Sequence, residues 1–148
     1  MRDQVTFCIK TIHRPHCCEA LVRSIHEYCA DDRPRIYVLD DGRPALRFSK
    51  VCPDAASMVD QIIETEYDIG LSAGRNRLLE AADTPVVVFT DDDHRVGPQT
   101  RLTELVRKLE TNRTVVMPTR AAVHEFARNC GAEYIYVFED LAWQCHKL

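Results

Sequence analysis

Apolar positions along this chain gather into short runs that stop at acids, glycine or proline. Between those runs they recur every three or four residues. Val5-Thr6-Phe7-Cys8-Ile9, Arg35-Ile36-Tyr37-Val38-Leu39 and Val86-Val87-Val88-Phe89 are short and rich in β-branched and aromatic side chains, so they predict strands, the last of the type covered on both faces. Shorter strands are predicted over 59–65, 114–117 and 134–138. Leu21, Val22, Ile25 and Cys29 fall on one side of a helix over 18–28. A second helix opens after Gly70 and runs to Ala82, with Ser72 as its N-cap. A third, over 100–110 behind Pro98, has Leu102, Leu105, Val106 and Leu109 as its apolar face. Residues 120–129 read as a helix ended by Gly131, and 139–148 as a short helix. Pro44 and Pro53 punctuate an irregular stretch over 43–53.

Strands that alternate with helices build βαβ units, so the fold class expected is α/β, a three-layer α/β/α arrangement around a mainly parallel, Rossmann-like sheet. Two of its strands run into acids, Asp40-Asp41-Gly42 and Asp91-Asp92-Asp93. Ligands of open α/β sheets bind at the carboxyl ends of strands. Side chains of an extended segment alternate, so Asp91 and Asp93 share one side and Asp92 points away. Three adjacent carboxylates repel one another and raise each other's pKa unless a positive charge joins them. Mg2+ or Mn2+, which accept carboxylate, water and phosphate oxygens, answers that need. The plainer account of the triplet is a solvated acidic turn.

Asp40-Asp41 can accept hydrogen bonds from a base or ribose, and Gly42 lets the backbone turn or approach a ligand; alone, the pair reads equally as an Asp-Gly turn. Arg75-Asn76, at the start of the helix after Gly70 and Gly74, offers free N–H groups and a bidentate charge to an anion. Otherwise Arg75 pairs with an acid at the sheet edge. Glu139-Asp140 beside Trp143 could hold a sugar hydroxyl and supply a general base, or could cap a terminal helix.

With 148 residues, 45% hydrophobic and 28% charged, the chain fits one ordinary globular domain. A net charge of −4 argues against nucleic acid as a general partner. No apolar stretch approaches the roughly 20 residues that span a bilayer, and the N-terminus shows no secretory apolar region, so a cytoplasmic protein without a transmembrane segment is expected. Seven cysteines, two of them adjacent at Cys17-Cys18, read as free thiols of a reducing compartment. His13, His16, Cys17 and Cys18 lack the paired spacing of a zinc site and read as a helix start with buried thiols.

Taken in order, residues 5–15, 68–93 and 100–106 resemble the nucleotide-sugar half of a family-2-like glycosyltransferase with the A-type fold. Within that superfamily, Gly70-Leu71-Ser72-Ala73-Gly74-Arg75-Asn76, then Asp91 to Asp93, Thr100-Arg101-Leu102 and Leu105-Val106, are similar to β-1,4-N-acetylgalactosaminyltransferases. Thr11 keeps the family's threonine, and Ile12 stands where the family carries tyrosine. The resemblance implies the nucleotide-diphospho-sugar transferase fold and metal-dependent, inverting transfer of a sugar from a UDP-sugar to an acceptor hydroxyl on a glycan, lipid or other molecule. It assigns Thr11 and Asp41 to uridine, Arg75 to the base or diphosphate, Asp91 to ribose and metal with Asp93 beside it on the metal, and Asp92 between them. It makes Asp140 or Glu139 the catalytic base. The stretch after Asp93 is short for such an enzyme, so the acceptor-binding part, about 119–148, is expected to be condensed or incomplete. Peripheral membrane association and oligomeric state stay open. Two rivals stay open as well: a non-catalytic nucleotide-sugar-binding remnant or partner subunit, and a sugar-phosphate nucleotidyltransferase. The latter ranks lower because Lys10 to His16 holds none of the glycine that chemistry needs after the first strand.

Overall fold

The computed structural model describes residues 1–111, 114–117, 134–139 and 142–147, with side chains as far as residue 107. The chain divides into two compact units, Met1–Val96 and Gly97–Leu148.

The first unit is built on four parallel strands. β1 (Val5–Thr11) lies at the centre, β2 (Arg35–Asp40) and β4 (Val86–Asp91) flank it, and β3 (Gln61–Glu64) pairs with β2, giving the order β3-β2-β1-β4. All these pairings are parallel, as the alternation of strands and helices predicts. Strand alternation gives the sheet two apolar faces. On one face Cys8, Tyr37 and Leu39 pack with Leu78 of α4 (Leu71–Ala81), joined by Ile63, Val87 and Phe89. The opposite face carries Phe7, Ile9, Ile36 and Val38, all buried. α1 (Pro15–Tyr28) presents Cys18, Leu21, Val22 and Ile25 as its buried stripe. Each such aliphatic side chain taken from water contributes about 1.5–3 kcal/mol.

The register fixes the site. Thr11 lies opposite Asp40 on one side of β1, and Lys10 lies opposite Asp91 on the other. The two acid-ended strands therefore finish side by side around the end of β1.

Several local expectations change. Residues 43–53 are not irregular: a 3-10 turn (Pro44–Leu46), α2 (Phe48–Val51) and α3 (Pro53–Ala56) occupy them. Pro44 and Pro53 start the turn and α3, because proline at the first helical position loses no hydrogen bond. Gly70, with φ 86°, rather than Ser72, is the N-cap of α4, and no side chain caps it. Glycine takes that left-handed backbone at no steric cost.

In the second unit, α5 (Leu102–Thr111) begins two residues later than predicted. Gly97 to Thr100 first close a turn of their own, the Thr100 N–H donating to the Gly97 carbonyl at 3.0 Å. β5 (Thr114–Met117) pairs parallel with β6 (Tyr134–Glu139), and β6 pairs antiparallel with β7 (Ala142–Lys147). β7 replaces the helix predicted over 139–148. Trp143, Cys145 and His146 are weak helix formers, and β6 offers a complete ladder of partners from Glu139↔Ala142 to Tyr134↔Lys147. The helix predicted over 120–129 lies outside the described residues. No helix among the described residues is long and apolar enough to cross a membrane.

Candidate functional site

The carboxyl edge of the first sheet collects Asp41, Asp91, Asp92 and Asp93 together with three cations. Lys10 is the next-to-last residue of β1, on the α4 face. Its Nζ donates to Asp41 Oδ1 at 2.8 Å, and its side chain is only 8% exposed while that of Asp41 is fully buried. Asp41 Oδ2 is buried and accepts no hydrogen bond. α4 closes over Lys10 at Gly74, where a Cβ would stand 2.8 Å from Lys10 Cδ and Cε.

Asp40, the neighbour of Asp41, has a different task. Its Oδ1 accepts from the Gly42 N–H at 2.7 Å and its Oδ2 from the Phe48 N–H at 2.6 Å. With both oxygens engaged, Asp40 staples the loop after β2 to α2. At Gly42 a Cβ would stand 2.8 Å from Asp40 Oδ1, so a larger residue would have to displace that carboxylate.

In the acid triplet Asp91 ends β4 and Asp92 and Asp93 form the turn after it. Asp92 is turned inward and fully buried, and Thr11 Oγ1 donates to its Oδ2 at 2.7 Å. Arg14 Nη2 lies 2.5 Å from Asp92 Oδ1 as an ion pair, off the hydrogen-bonding direction. Burial pushes the Asp92 carboxyl above its ordinary range, opposed by the Thr11 hydrogen bond and the Arg14 charge. Asp91 and Asp93 stay open, their side chains 39% and 51% exposed. Arg75 Nη2 donates to Asp91 Oδ1 at 2.9 Å, and Arg14 Nη1 donates to Asp93 Oδ2 at 3.0 Å.

Among the predicted site residues, Thr11, Asp41, Arg75, Asp91, Asp92 and Asp93 thus stand on one rim. Thr11 reaches the site through Asp92, and Arg75 pairs with an acid of the sheet edge. Glu139 ends β6 of the second unit, and Asp140 lies outside the described residues. Asp91 and Asp93 are hard oxygen donors with solvent access, a donor set that fits Mg2+ or Mn2+.

Sequence reading overlooked Lys10, Arg14 and an aromatic rim. His13, at φ 57°, stacks on Tyr67 with centroids 5.4 Å apart, and the Arg43 guanidinium lies 5.3 Å from the Tyr67 centroid. The Arg43 N–H also donates to His13 Nε2 at 3.4 Å. A lysine closing an otherwise apolar strand was the available signal for Lys10. Nothing in the local sequence brings Tyr67 to His13.

The family model described as "Glycosyl transferase family 2" matches residues 6–140. The mouse protein Beta-1,4 N-acetylgalactosaminyltransferase 2 is 30% identical over 110 residues, 74% of this chain and 20% of that relative. The chain therefore spans about a fifth of the relative it matches. Among solved structures, S. aureus TarS aligns with a TM-score of 0.61 at 14% identity, over 80% of this chain and 22% of TarS. TarS 1-349 in complex with UDP-GlcNAc aligns at 0.62 and 13% identity, over 80% of this chain and 36% of that one. These likenesses establish the A-type glycosyltransferase fold.

Proposed function

The chain belongs to glycosyl transferase family 2, and from that premise we propose that it binds a nucleotide diphosphate sugar, a UDP-sugar, and passes the sugar to an acceptor hydroxyl with inversion. The observation that carries this reading is the convergence of Asp41 and Asp91–Asp93 with Lys10 and Arg75 at the end of β1. In it, Asp41 receives the base. A buried carboxylate oxygen without a donor is costly, and a base N–H supplies the donor that Asp41 Oδ2 lacks. The His13–Tyr67 stack, next to Gly42 and Arg43, offers the base a ring face in place of the tyrosine that Ile12 replaces.

Arg75 contacts the diphosphate, exchanging Asp91 for phosphate oxygens in a bidentate pair. Thr11 and Arg14 hold Asp92 buried and so set the turn that presents Asp91 toward ribose and Asp93 outward. Asp93 and Asp91 would hold Mg2+ or Mn2+, which supplies positive charge opposite the diphosphate leaving group. Transfer is one displacement. The acceptor oxygen bonds to the anomeric carbon, the bond from that carbon to the phosphate oxygen breaks with its electron pair on the phosphate, and the acceptor proton passes to Asp140 or Glu139. The TarS complex with UDP-GlcNAc supports a UDP-sugar as donor.

Calorimetric titration of UDP with and without Mn2+ tests the reading. Binding is expected to strengthen with Mn2+ and to lose that gain in Asp93→Asn. Absence of UDP binding under both conditions overturns it. A second reading, a nucleotide-sugar-binding module without turnover, is favoured by one observation: Arg14 and Arg75 between them already pair with all three acids of the triplet. Metal-independent UDP binding with no release of sugar to any acceptor or to water would select it.

A further inference from the structure

Beside the nucleotide rim, a second cluster joins α1 to the segment between α2 and α3. His16 and Glu19 stand three residues apart in the first turns of α1, on neighbouring positions of one helix face. Cys52, between α2 and α3, meets them. His16 Nδ1 lies 3.5 Å from Cys52 Sγ and 3.5 Å from Glu19 Oε2, and the three donor atoms fall within 4.8 Å of one another. Zinc bound tetrahedrally at about 2.3 Å from sulfur and about 2.0–2.1 Å from nitrogen or oxygen sets its ligand atoms roughly 3.5 Å apart. The His16–Cys52 and His16–Glu19 edges of this triangle already have that length.

We propose that His16, Glu19 and Cys52 bind a zinc-class divalent ion as three of its four tetrahedral ligands, with solvent in the fourth position. Imidazole nitrogen, carboxylate oxygen and thiolate sulfur are the ligand types zinc takes, and the mixture with a thiolate disfavours Mg2+ and Ca2+. Arg23 grips the other carboxylate oxygen, Glu19 Oε1, through Nε at 3.0 Å and Nη2 at 2.9 Å. It thereby turns Oε2 toward His16, the part an outer partner plays for a metal-binding carboxylate. Cys52 is buried and His16 is open, its side chain 77% exposed, so the ion has an entry path and a shielded thiolate. Burial, with Glu19 beside it, pushes the free Cys52 thiol up to about 11, so binding must displace a proton.

The site has a mechanical consequence. The Cys52 N–H donates to the Phe48 carbonyl at 2.9 Å, and the Phe48 N–H holds Asp40. An ion on Cys52 would tie α1 to the segment that anchors the loop bearing Asp41.

Cobalt substitution on the reduced, metal-free full chain tests this. One equivalent of Co2+ is expected to give a thiolate-to-cobalt charge-transfer band with the visible bands of a tetrahedral ion, both erased by Zn2+. Cys52→Ser is expected to abolish the charge-transfer band, and His16→Ala to weaken Co2+ binding at least about tenfold. Cys17→Ser and Asp93→Asn are expected to leave the band unchanged, which separates this site from the nucleotide rim. No band, or a band that survives Cys52→Ser, overturns the proposal. Should Cys52→Ser fail to fold, His16→Ala decides, because it alters an exposed side chain: unchanged Co2+ affinity there overturns the proposal equally.

Discussion

At the scale of single residues, the pair Lys10–Asp41 is the most demanding feature of the site. Two charges taken from water are tolerated because each faces the other at 2.8 Å. Removing one leaves the second buried and alone, a loss of about 3–5 kcal/mol. Lys10→Met is therefore expected to lower the unfolding free energy in urea by that order and to weaken UDP binding. A loss below about 1 kcal/mol, the range of an exposed pair, would show that water reaches the pair. Gly42 presents a similar test without charge. A methyl group there meets the carboxylate that caps two backbone N–H groups, and overpacking of this kind costs about 1–3 kcal/mol. Gly42→Ala is expected to lower Tm, whereas Gly70→Ala acts through its positive φ alone, with open space around it. The acids of the rim were legible in sequence because a run of apolar residues ending in carboxylates is a local pattern. Lys10 and Arg14 were not. The partner that makes a buried Lys10 tolerable, Asp41, is 31 positions away, and Arg14 acts on Asp93, 79 positions away, and on its neighbour Asp92.

At the scale of elements, α4 is governed by a conflict between helix propensity and packing. Gly74→Ala gains about 1 kcal/mol of helix propensity. It also drives a methyl group to 2.8 Å from the Lys10 stem, and shifting that stem moves Nζ off Asp41. Because the second effect disturbs a buried ion pair, it wins: Gly74→Ala is expected to be destabilising in thermal melts and to reduce UDP affinity. Increased stability with intact binding would refute that ranking. β3 offers a pH test. Glu64 accepts from Ser49 Oγ at 2.5 Å and pairs with Arg47, which hold its carboxyl below the ordinary value of 4.5. A carboxyl lowered by folding adds stability above its unfolded value and loses it as the pH falls through the folded one. Glu64→Gln is thus expected to be less stable than the parent at pH 7 by about 0.5 kcal/mol, with the gap closing below pH 4.5. β1 and β2 were readable because two-sided burial leaves an apolar signature. β3 and β4 are the sheet edges and only partly buried, so the cover on both faces expected for Val86–Phe89 is not what its apolar run reflects. β7 was not readable, because its stability comes from the ladder with β6 rather than from its own composition.

At the scale of the whole molecule, the proposed roles divide between the two compact units. Met1–Val96 contains the four-stranded parallel sheet, the helices on it and every residue proposed to hold the nucleotide, from Lys10 to Asp93. A unit of that length can bury its own core. Gly97–Leu148 contains the mixed sheet β5-β6-β7 and the acids proposed to accept the proton. Sequence reading could see the parallel order of the first unit and the acids of the second. It did not see where one unit ends, because Gly97-Pro98, the step directly after Val96, reads equally as the turn that opens the following helix. If binding belongs to the first unit and turnover needs both, the two activities must separate on truncation. A chain of residues 1–96 is expected to unfold cooperatively and to bind UDP with Mn2+ within about tenfold of the parent, a difference of about 1.4 kcal/mol, while transferring no sugar. A truncated chain that folds but fails to bind would move part of the nucleotide site into residues 97–148, and with it the premise that the strand ends suffice to hold the donor.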